Sequence, residues 1–519
     1  MPTAVPRKLP IGIQTFADII DGGYYYVDKT RQIHRLVEEG KYYFLSRPRR
    51  FGKSLLLDTL ACLFEGREAL FRGLYIHDKW KWQRQHPVIR LSFGDGLLRT
   101  REELDLRIGE LLRAEAERLD VTLQNTSIAG RFRELIEAVH ERHGERAVVL
   151  IDEYDKPILD NLLAPERARA LREGLKNLYS VLKDADPHLA FVLLTGVSKF
   201  SKVSLFSGLN NLNDITLDAP YATLCGYTDE DIDRVFAAEL PGLDREAIRQ
   251  WYNGYRWGGQ EVTSVYNPFD VLLLFQKRQF GPYWFESATP TFLVELLRER
   301  GVFTPRLEQW EAEAALLGRF DVDDIATEAL LFQAGYLTVK AVEEPLLGYR
   351  LYTLGFPNQE VETSLSQALL PVLGVEESPR HRKSLFTHLR DHDLAGLEAH
   401  LKALYAGLPH DWYRNNPIAR YEGHYASVFY SHFAALGVQV TVEDASHHGR
   451  VDMAVEAFGH RYLFEFKVVE QLPEGRALQQ LKARGYADKY RGRGQPIHLV
   501  GVEFSREERQ IVAFEAETL

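Results

Sequence analysis

Cysteine is almost missing from this sequence: only Cys62 and Cys225 occur in 519 residues. That excludes a disulfide framework and a thiolate zinc site, and it fits a reducing compartment. Long apolar runs are missing too. The N-terminus MPTAVPRKLPIG has no signal-like apolar stretch, and no run approaches the roughly 18 residues of a membrane span. The expected location is the cytoplasm, with no membrane partner. Positive charge is in deficit. Lys and Arg number 63 against 74 Asp and Glu, a net charge of −11, so nucleic-acid contact would need a local basic patch. Internal repeats and low-complexity tracts are absent as well. What is present, 45% hydrophobic, 26% charged and 12% aromatic residues, is the composition of a soluble globular protein. The length calls for two to four domains.

The first part of the chain alternates strand and helix patterns. KYYFLS (41–46) is a short apolar run leading into RPRRFGKSLLL (47–57), and SLLLDTLACLF (54–64) carries leucines at helical spacing. PVIRLSF (87–93), RAVVLIDEYD (146–155) and AFVLLTGVSKFS (190–201) read as further strands, with REELDLRIGELLRAEAERL as a charged, leucine-spaced helix among them. Apolar runs with little alternation suit strands buried on both faces, so a parallel sheet with helical crossovers is expected.

From CGYTDEDIDRVFAAEL (225–240) helical patterns dominate, interrupted by WYNGYRWGG and VYNPFD. ATEALLFQAG, YLTVKAVEE, YRLYTLGFP and NQEVETSLSQALL then read as helix, strand, strand, helix. That order admits a winged-helix-like unit or a plain packing module, and no basic cluster marks a recognition helix. The turn-rich GLPHDWYRNNP marks a boundary near 405–415. Residues 411–519 restart a mixed pattern: a helix, hairpin-rich strands, a helix over EGRALQQLKARGYADKYRG, and a final strand PIHLVGVEF.

RPRRFGKS departs from the phosphate-loop pattern G-x-x-x-x-G-K-[ST] at its first glycine, where Arg47 stands. A nucleotide site needs backbone N–H groups at a helix start, a lysine for the β/γ-phosphates and a hydroxyl for Mg2+. Gly52, Lys53 and Ser54 fall where strand, loop and helix would supply them. VVLIDE ends a buried strand with Asp152, expected to hold Mg2+ through its water shell, and Glu153, expected to polarise the attacking water. The strand over 87–93, between loop and acids, fits the additional-strand branch of P-loop ATPases. Arg47, Arg49 and Arg50 either add charge-assisted phosphate contacts or face another part of the chain. Phosphate is the favoured reading, and Arg49 and Arg50 are counted as nucleotide-binding.

FADIIDGGYYYVDKT, FLSRPRRFGKSLLLDTL, VVLIDEYDKPI, LLTGVSKFSKVSLFSGLNNLNDIT and LCGYTDEDI resemble the bacterial AAA-ATPase-like family. The resemblance runs over roughly residues 8–370, since WYNGYRWGG, YNPFD, YWFESATPTFLVELL, LLFQAGYLTVK and PNQEV are similar too. Arginine at the first Walker position is the family's own form, and ATP binding is what the resemblance implies. Thr195 and Ser198 fall where related ATPases place a polar residue that senses γ-phosphate; a strand cap is the alternative.

In the last segment, GRVDMAVEAFGHRYLFEFKVV puts Asp452 on one apolar strand and Glu465, Phe466 and Lys467 on the next. Alternation sets Glu465 and Lys467 on one face and turns Phe466 to the core. Two carboxylates on adjacent strands can share a divalent ion, Mg2+ or Mn2+, with Lys467 orienting or deprotonating water and Glu422, one helix earlier, as a third oxygen ligand. A structural Glu–Lys ion pair is the plain alternative. The arrangement resembles the PD-(D/E)XK nuclease fold, and more closely the nuclease-like domain that follows this type of ATPase. That resemblance implies a functional glutamine at Gln480. Val451 stands where the superfamily's proline would be, and Ala426 follows Tyr425 where relatives often carry histidine.

Arg476, Lys482, Arg484, Lys489, Arg491 and Arg493, interleaved with Tyr486 and Tyr490, are expected to track a phosphate backbone while the rings stack on bases; a solvated helix face is the alternative. His424, His447 and His448 have no second ligand at helical or hairpin spacing and read as surface histidines.

The expected fold class is α/β: an AAA-like P-loop ATPase domain over 1–224, a mainly helical middle region over 225–410, and a restriction-endonuclease-like domain over 411–519. The expected activity is ATP-dependent or ATP-gated hydrolysis of nucleic acid, DNA ahead of RNA, with Glu153, Asp452, Glu465, Lys467 and Gln480 as catalytic residues. Homo-oligomerisation is left open, and a role in defence or in mobile-element biology follows from the architecture only. The alternative is a regulatory NTPase switch whose C-terminal domain binds nucleic acid or a partner without cleaving it.

Overall fold

The computed structural model describes residues 7–199, 211–259, 261–288, 291–300, 304–313, 317, 326–373, 375, 379–406, 422–446, 449–470, 472–505, 507 and 510–519. The chain forms two compact units, Met1–Ala288 with Glu311–Asn358, and Thr289–Trp310 with Gln359–Leu519.

The first unit is built on five strands: β1 (Tyr42–Ser46), β2 (Val88–Ser92), β3 (Ala147–Asp152), β4 (Leu189–Gly196) and β5 (Asn213–Asp214). They form one parallel sheet in the order β2-β3-β4-β1-β5. β1 is buried throughout, and so is β3 up to Asp152, which is why neither shows the alternation of a half-exposed strand. Helices Lys53–Phe64, Arg101–Arg118, Ile128–His143 and Pro165–Asp184 lie between the strands. Their starts follow local chemistry: Thr100 and Glu103 close a reciprocal capping box, and Ser127 caps the next helix. β4 separates the loop-bearing β1 from the acid-bearing β3, and all three are parallel. The ends of β1 and β3 therefore open at the same carboxyl edge, where such sheets bind ligands.

A smaller sheet of β6 (Trp310–Glu313), β7 (Thr338–Leu346) and β8 (Tyr349–Gly355) has the order β6-β8-β7. Helix Thr327–Ala334 precedes its hairpin and helix Gln359–Leu369 follows it, in the expected order; the second helix belongs to the second unit.

The second unit carries helix Glu422–Ala434, β9 (Gln439–Ser446), β10 (Gly449–Ala457), β11 (His460–Val469), helix Arg476–Ala483, β12 (Ile497–Ser505) and β13 (Ile511–Thr518). The sheet order is β13-β12-β11-β10-β9; β11 and β12 run parallel, and the other neighbours are antiparallel. The helix Arg476–Ala483 is the crossover of the parallel pair and lies directly on β12. A Cβ at Gly501 would meet the backbone nitrogen of Leu478 at 2.4 Å, so glycine is what admits the helix to the strand.

That helix is shorter than its sequence pattern. It ends at Ala483, because Gly485 turns left-handed (φ 55°), and Tyr486–Lys489 and Arg491–Arg493 continue as short 3-10 turns. Among the described residues, no helix is long and apolar enough to cross a membrane.

Candidate active sites

Gly52 precedes helix Lys53–Phe64 in a left-handed conformation (φ 89°), and Arg50, two residues earlier, is left-handed as well (φ 68°). Lys53 is buried, and its Nζ donates to the carbonyl oxygens of Arg47 (2.8 Å) and Pro48 (2.9 Å). Burial pushes its ammonium below the usual range, against the pull of Asp152. Ser54 Oγ donates to Asp152 Oδ2 at 2.5 Å, and Thr195 Oγ1 donates to Asp152 Oδ1 at 2.7 Å. The lysine, the hydroxyl and the first acid, which come from the start of one helix and the end of β3, thus form one constellation. Glu153 follows with φ 49°, a region costly for a non-glycine residue and frequent at functional sites. Burial, then the neighbouring Asp152, raises its carboxyl above the ordinary value.

Arg47 does not face this constellation. It is 1% exposed; its Nη1 donates to the carbonyls of Ser46 and Thr216 (2.8 and 2.9 Å) and its Nη2 to that of Tyr221 (3.2 Å). Its guanidinium lies 4.1 Å from the ring centroid of Trp257. The phosphate reading is therefore corrected for Arg47, whose guanidinium Nη1 and Nη2 are taken by carbonyls at the end of β1 and after β5. Arg49 and Arg50 do line the cleft that holds Gly52, Lys53, Ser54 and Glu153. The loop is braced from further along the chain as well. Trp284 Nε1 donates to the carbonyl of Arg49 at 3.1 Å. Gly335, at φ 93°, brings its backbone so close to Pro48 that a Cβ would sit 2.7 Å from that ring.

Of the two hydroxyls expected near a γ-phosphate, Thr195 reaches Asp152, whereas Ser198 is committed elsewhere. The N–H and Oγ of Ser198 both donate to Asp155 Oδ2 at 2.5 Å, and the N–H of Val197 donates to the same oxygen at 3.1 Å. Asp155 is buried, and the sequence reading assigned it no role. Its position three residues after Asp152 in a strand-ending acidic run was the available signal. It fixes the turn after β4 and so the place of Thr195.

In the second unit, the register that sets Met453 opposite Phe464 carries Asp452 opposite Glu465 on one face of the sheet. Asp452 Oδ2 accepts the N–H of Phe466 at 2.8 Å, and Phe466 is buried as expected. Glu465 is 1% exposed. Its Oε1 accepts from Lys467 Nζ at 3.2 Å and from Gln480 Nε2, while its Oε2 is buried and has no hydrogen-bond partner among the described residues. Burial, then Asp452, raises this carboxyl to about 7. A buried carboxylate oxygen with no donor is costly unless something else satisfies it. Beside a second carboxylate it fits a divalent cation, for which oxygen donors are the expected ligands. Among the described residues there is no cluster of three or more His, Cys, Asp or Glu able to hold a metal. The side chains of Glu422 and His424 lie outside the described residues, as do His447 and His448.

The stacking role expected for Tyr486 and Tyr490 is corrected. Both rings are buried, 1% and 3% exposed, in a core with Val451, Leu463, Leu481 and Leu499, and Arg461 covers Tyr490 at 4.1 Å. Arg476, Lys482, Arg484, Lys489 and Arg491 are exposed, but Arg476 pairs with Glu474, Lys482 with Glu517 and Arg491 with Asp488. The side chain of Arg493 is outside the description.

A parallel sheet with strand–loop–lysine–hydroxyl and a strand-end acid defines a P-loop ATPase fold. A mixed sheet with D…E-x-K and glutamine on the crossover helix defines a nuclease-type one. Residues 10–206 match the family model described as a predicted AAA-ATPase, and residues 420–514 match that of the PD-(D/E)XK nuclease superfamily. The chain belongs to the AAA-ATPase-like family and carries a PD-(D/E)XK domain after it. It is 61% identical over 516 residues, 99% of each chain, to a protein of Azotobacter chroococcum mcd 1 named "Uncharacterized protein in vnfD 5'region".

Proposed function

We propose that the protein is an ATP-gated nuclease that hydrolyses DNA phosphodiester bonds. One observation carries the nuclease half: the buried, unpartnered Oε2 of Glu465, opposite Asp452 and two residues from Lys467. Most buried carboxylate oxygens kept for structure find a donor, and this one lies beside a second acid. In this reading Asp452 and Glu465 hold Mg2+ or Mn2+, with Glu422 as the third ligand. When bound, the cation supplies Lewis-acid activation of water and neutralises charge on the phosphate. Lys467 orients the attacking water and stabilises the charge that builds on the phosphoryl oxygens. Gln480, donating to Glu465 Oε1, fixes the carboxylate's orientation.

In the other half, Lys53 gives up the Arg47 and Pro48 carbonyls for the β/γ-phosphates, Ser54 and Asp152 hold Mg2+, and Glu153 takes a proton from water. Arg49 and Arg50 add cationic contacts to the triphosphate. The test is cleavage of plasmid and of labelled DNA and RNA oligonucleotides by the full chain with Mg2+ or Mn2+, with and without ATP. Wild type cleaves DNA, Lys467→Ala does not, and Lys53→Ala cleaves without responding to ATP or not at all. Cleavage unchanged in Lys467→Ala would remove the nuclease assignment.

A further inference from the structure

The cleft at the phosphate loop is larger than a triphosphate needs, and its lining has two characters. It encloses about 350 Å3, within the range of small-molecule sites. Arg49, Arg50, Lys53, Ser54 and Glu153 supply charge and hydroxyl. Pro10, Ile13, Leu55, Pro268, Phe269 and Leu272 supply apolar surface. A second cavity of about 80 Å3 shares Pro10, Ile19, Gly52, Leu55, Tyr227 and Pro268 with the first, and its own cation, Lys29, is paired with Asp231 at 2.7 Å. The apolar lining thus runs from the cleft into the second cavity, with the Arg50 guanidinium over the Phe269 ring at 4.8 Å.

Gln14 lines the same cleft. It follows the turn at Ile11–Gly12 and is exposed. Among the described residues its amide has no hydrogen-bond partner, so a ligand can take both its donor and its acceptor.

We propose that this apolar half is the nucleobase subsite and that Gln14 reads the edge of adenine; the proposal rests on the phosphate site described above. A flat heteroaromatic ring needs apolar faces above and below and a few polar groups at its rim. A side-chain amide offers one donor and one acceptor side by side. Adenine presents the complementary pair, N6–H with N7 or with N1, on either edge. Guanine presents two acceptors at O6 and N7. It matches the amide only through N1–H and O6, an edge that also carries the 2-amino group, for which the single carbonyl of Gln14 offers no separate acceptor. Gln14 is thus the specificity-determining residue for the base, while Lys53 and Ser54 hold the phosphates whatever the base is.

Calorimetric titration of the full chain with Mg-ATP, Mg-GTP and inorganic tripolyphosphate tests this in wild type and Gln14→Ala. Wild type is expected to bind ATP about tenfold tighter than GTP, and the variant to lose about tenfold for ATP while GTP and tripolyphosphate stay within about twofold. An unchanged ATP:GTP ratio in Gln14→Ala overturns the base subsite and leaves the phosphate site standing. Equal weakening of all three ligands also overturns it, because the effect is then not on the base. If wild type binds neither ATP nor tripolyphosphate, the phosphate site itself falls, and the base subsite with it.

Discussion

The ammonium of Lys53 lies 2.8 Å from the carbonyl oxygen of Arg47, six residues before it in the same loop. Through this bond and a second one to the Pro48 carbonyl, the lysine holds the loop it starts from. Lys53→Ala should abolish ATP binding in equilibrium dialysis while leaving the loop's outer braces in place. Glu153→Gln should keep ATP binding and slow hydrolysis by about 10²–10⁴-fold, the usual contribution of a general base, measured by phosphate release in single turnover.

Restoring the missing Walker glycine should harm the protein. Arg47→Gly removes a donor from the Ser46, Thr216 and Tyr221 carbonyls, of which Tyr221 keeps the Leu224 N–H, and takes a cation off Trp257. Buried acceptors left unpaired cost about 1–3 kcal/mol each. The first unit should lose about 2–4 kcal/mol in urea denaturation, with ATP affinity falling as a consequence. A variant as stable as wild type would show that the guanidinium is dispensable to the fold.

Glu465 gives a pH signature. Its folded-state value of about 7 lies above the ordinary 4.5, so between those values the folded chain holds a proton that the unfolded chain has lost. Its contribution is therefore present below that window and is lost as pH rises through about 7. In EDTA, the melting temperature of the second unit should fall between about pH 5 and about pH 8 more steeply in wild type than in Glu465→Gln. The comparison between the two proteins is needed because buried His432 and His498, held well below the usual imidazole range by burial, push the other way. Mg2+ should raise the wild-type melting temperature at the high end and leave the variant unmoved.

Two substitutions should separate chemistry from positioning in the second unit. Lys467→Ala should abolish cleavage with little change in stability, since Lys467 is part-exposed. Gly501→Ala forces a Cβ against the Leu478 backbone. It should lift the Gln480 helix from β12, cost about 1–3 kcal/mol, and reduce cleavage through Gln480. ATP hydrolysis in the absence of DNA should be unaffected by either.

The parts of both candidate sites that lie close in sequence, or at strand spacing, can be read from the sequence. Gly52-Lys53-Ser54 is a local strand–loop–helix signal. Asp152 was placed by the end of an apolar run, and Glu465 and Lys467 by the two-residue period of a strand. The destination of Arg47 was not legible, because its partners Thr216 and Tyr221 are 169 and 174 residues away. Nothing in RPRR distinguishes an arginine that faces a ligand from one that pins a loop. Tyr486 and Tyr490 misled for a related reason. Read as a continued helix they fall among basic residues, but the left-handed Gly485 ends the helix and rolls both rings under the sheet. Asp155 was visible as a letter, and its task depends on a turn after β4 that no local pattern describes.

The bracing of the phosphate loop bears on how the molecule can be taken apart. A fragment that stops at the fifth strand would contain every recognisable nucleotide motif, yet it would lack Thr216, Tyr221, Trp257, Trp284 and Gly335, which grip the loop from behind. Such a truncation should purify as an unstable or ligand-blind polypeptide. Dissection of the two units, and any swap of tail domains between relatives, should leave the whole stretch through Asn358 attached to the AAA-ATPase-like domain.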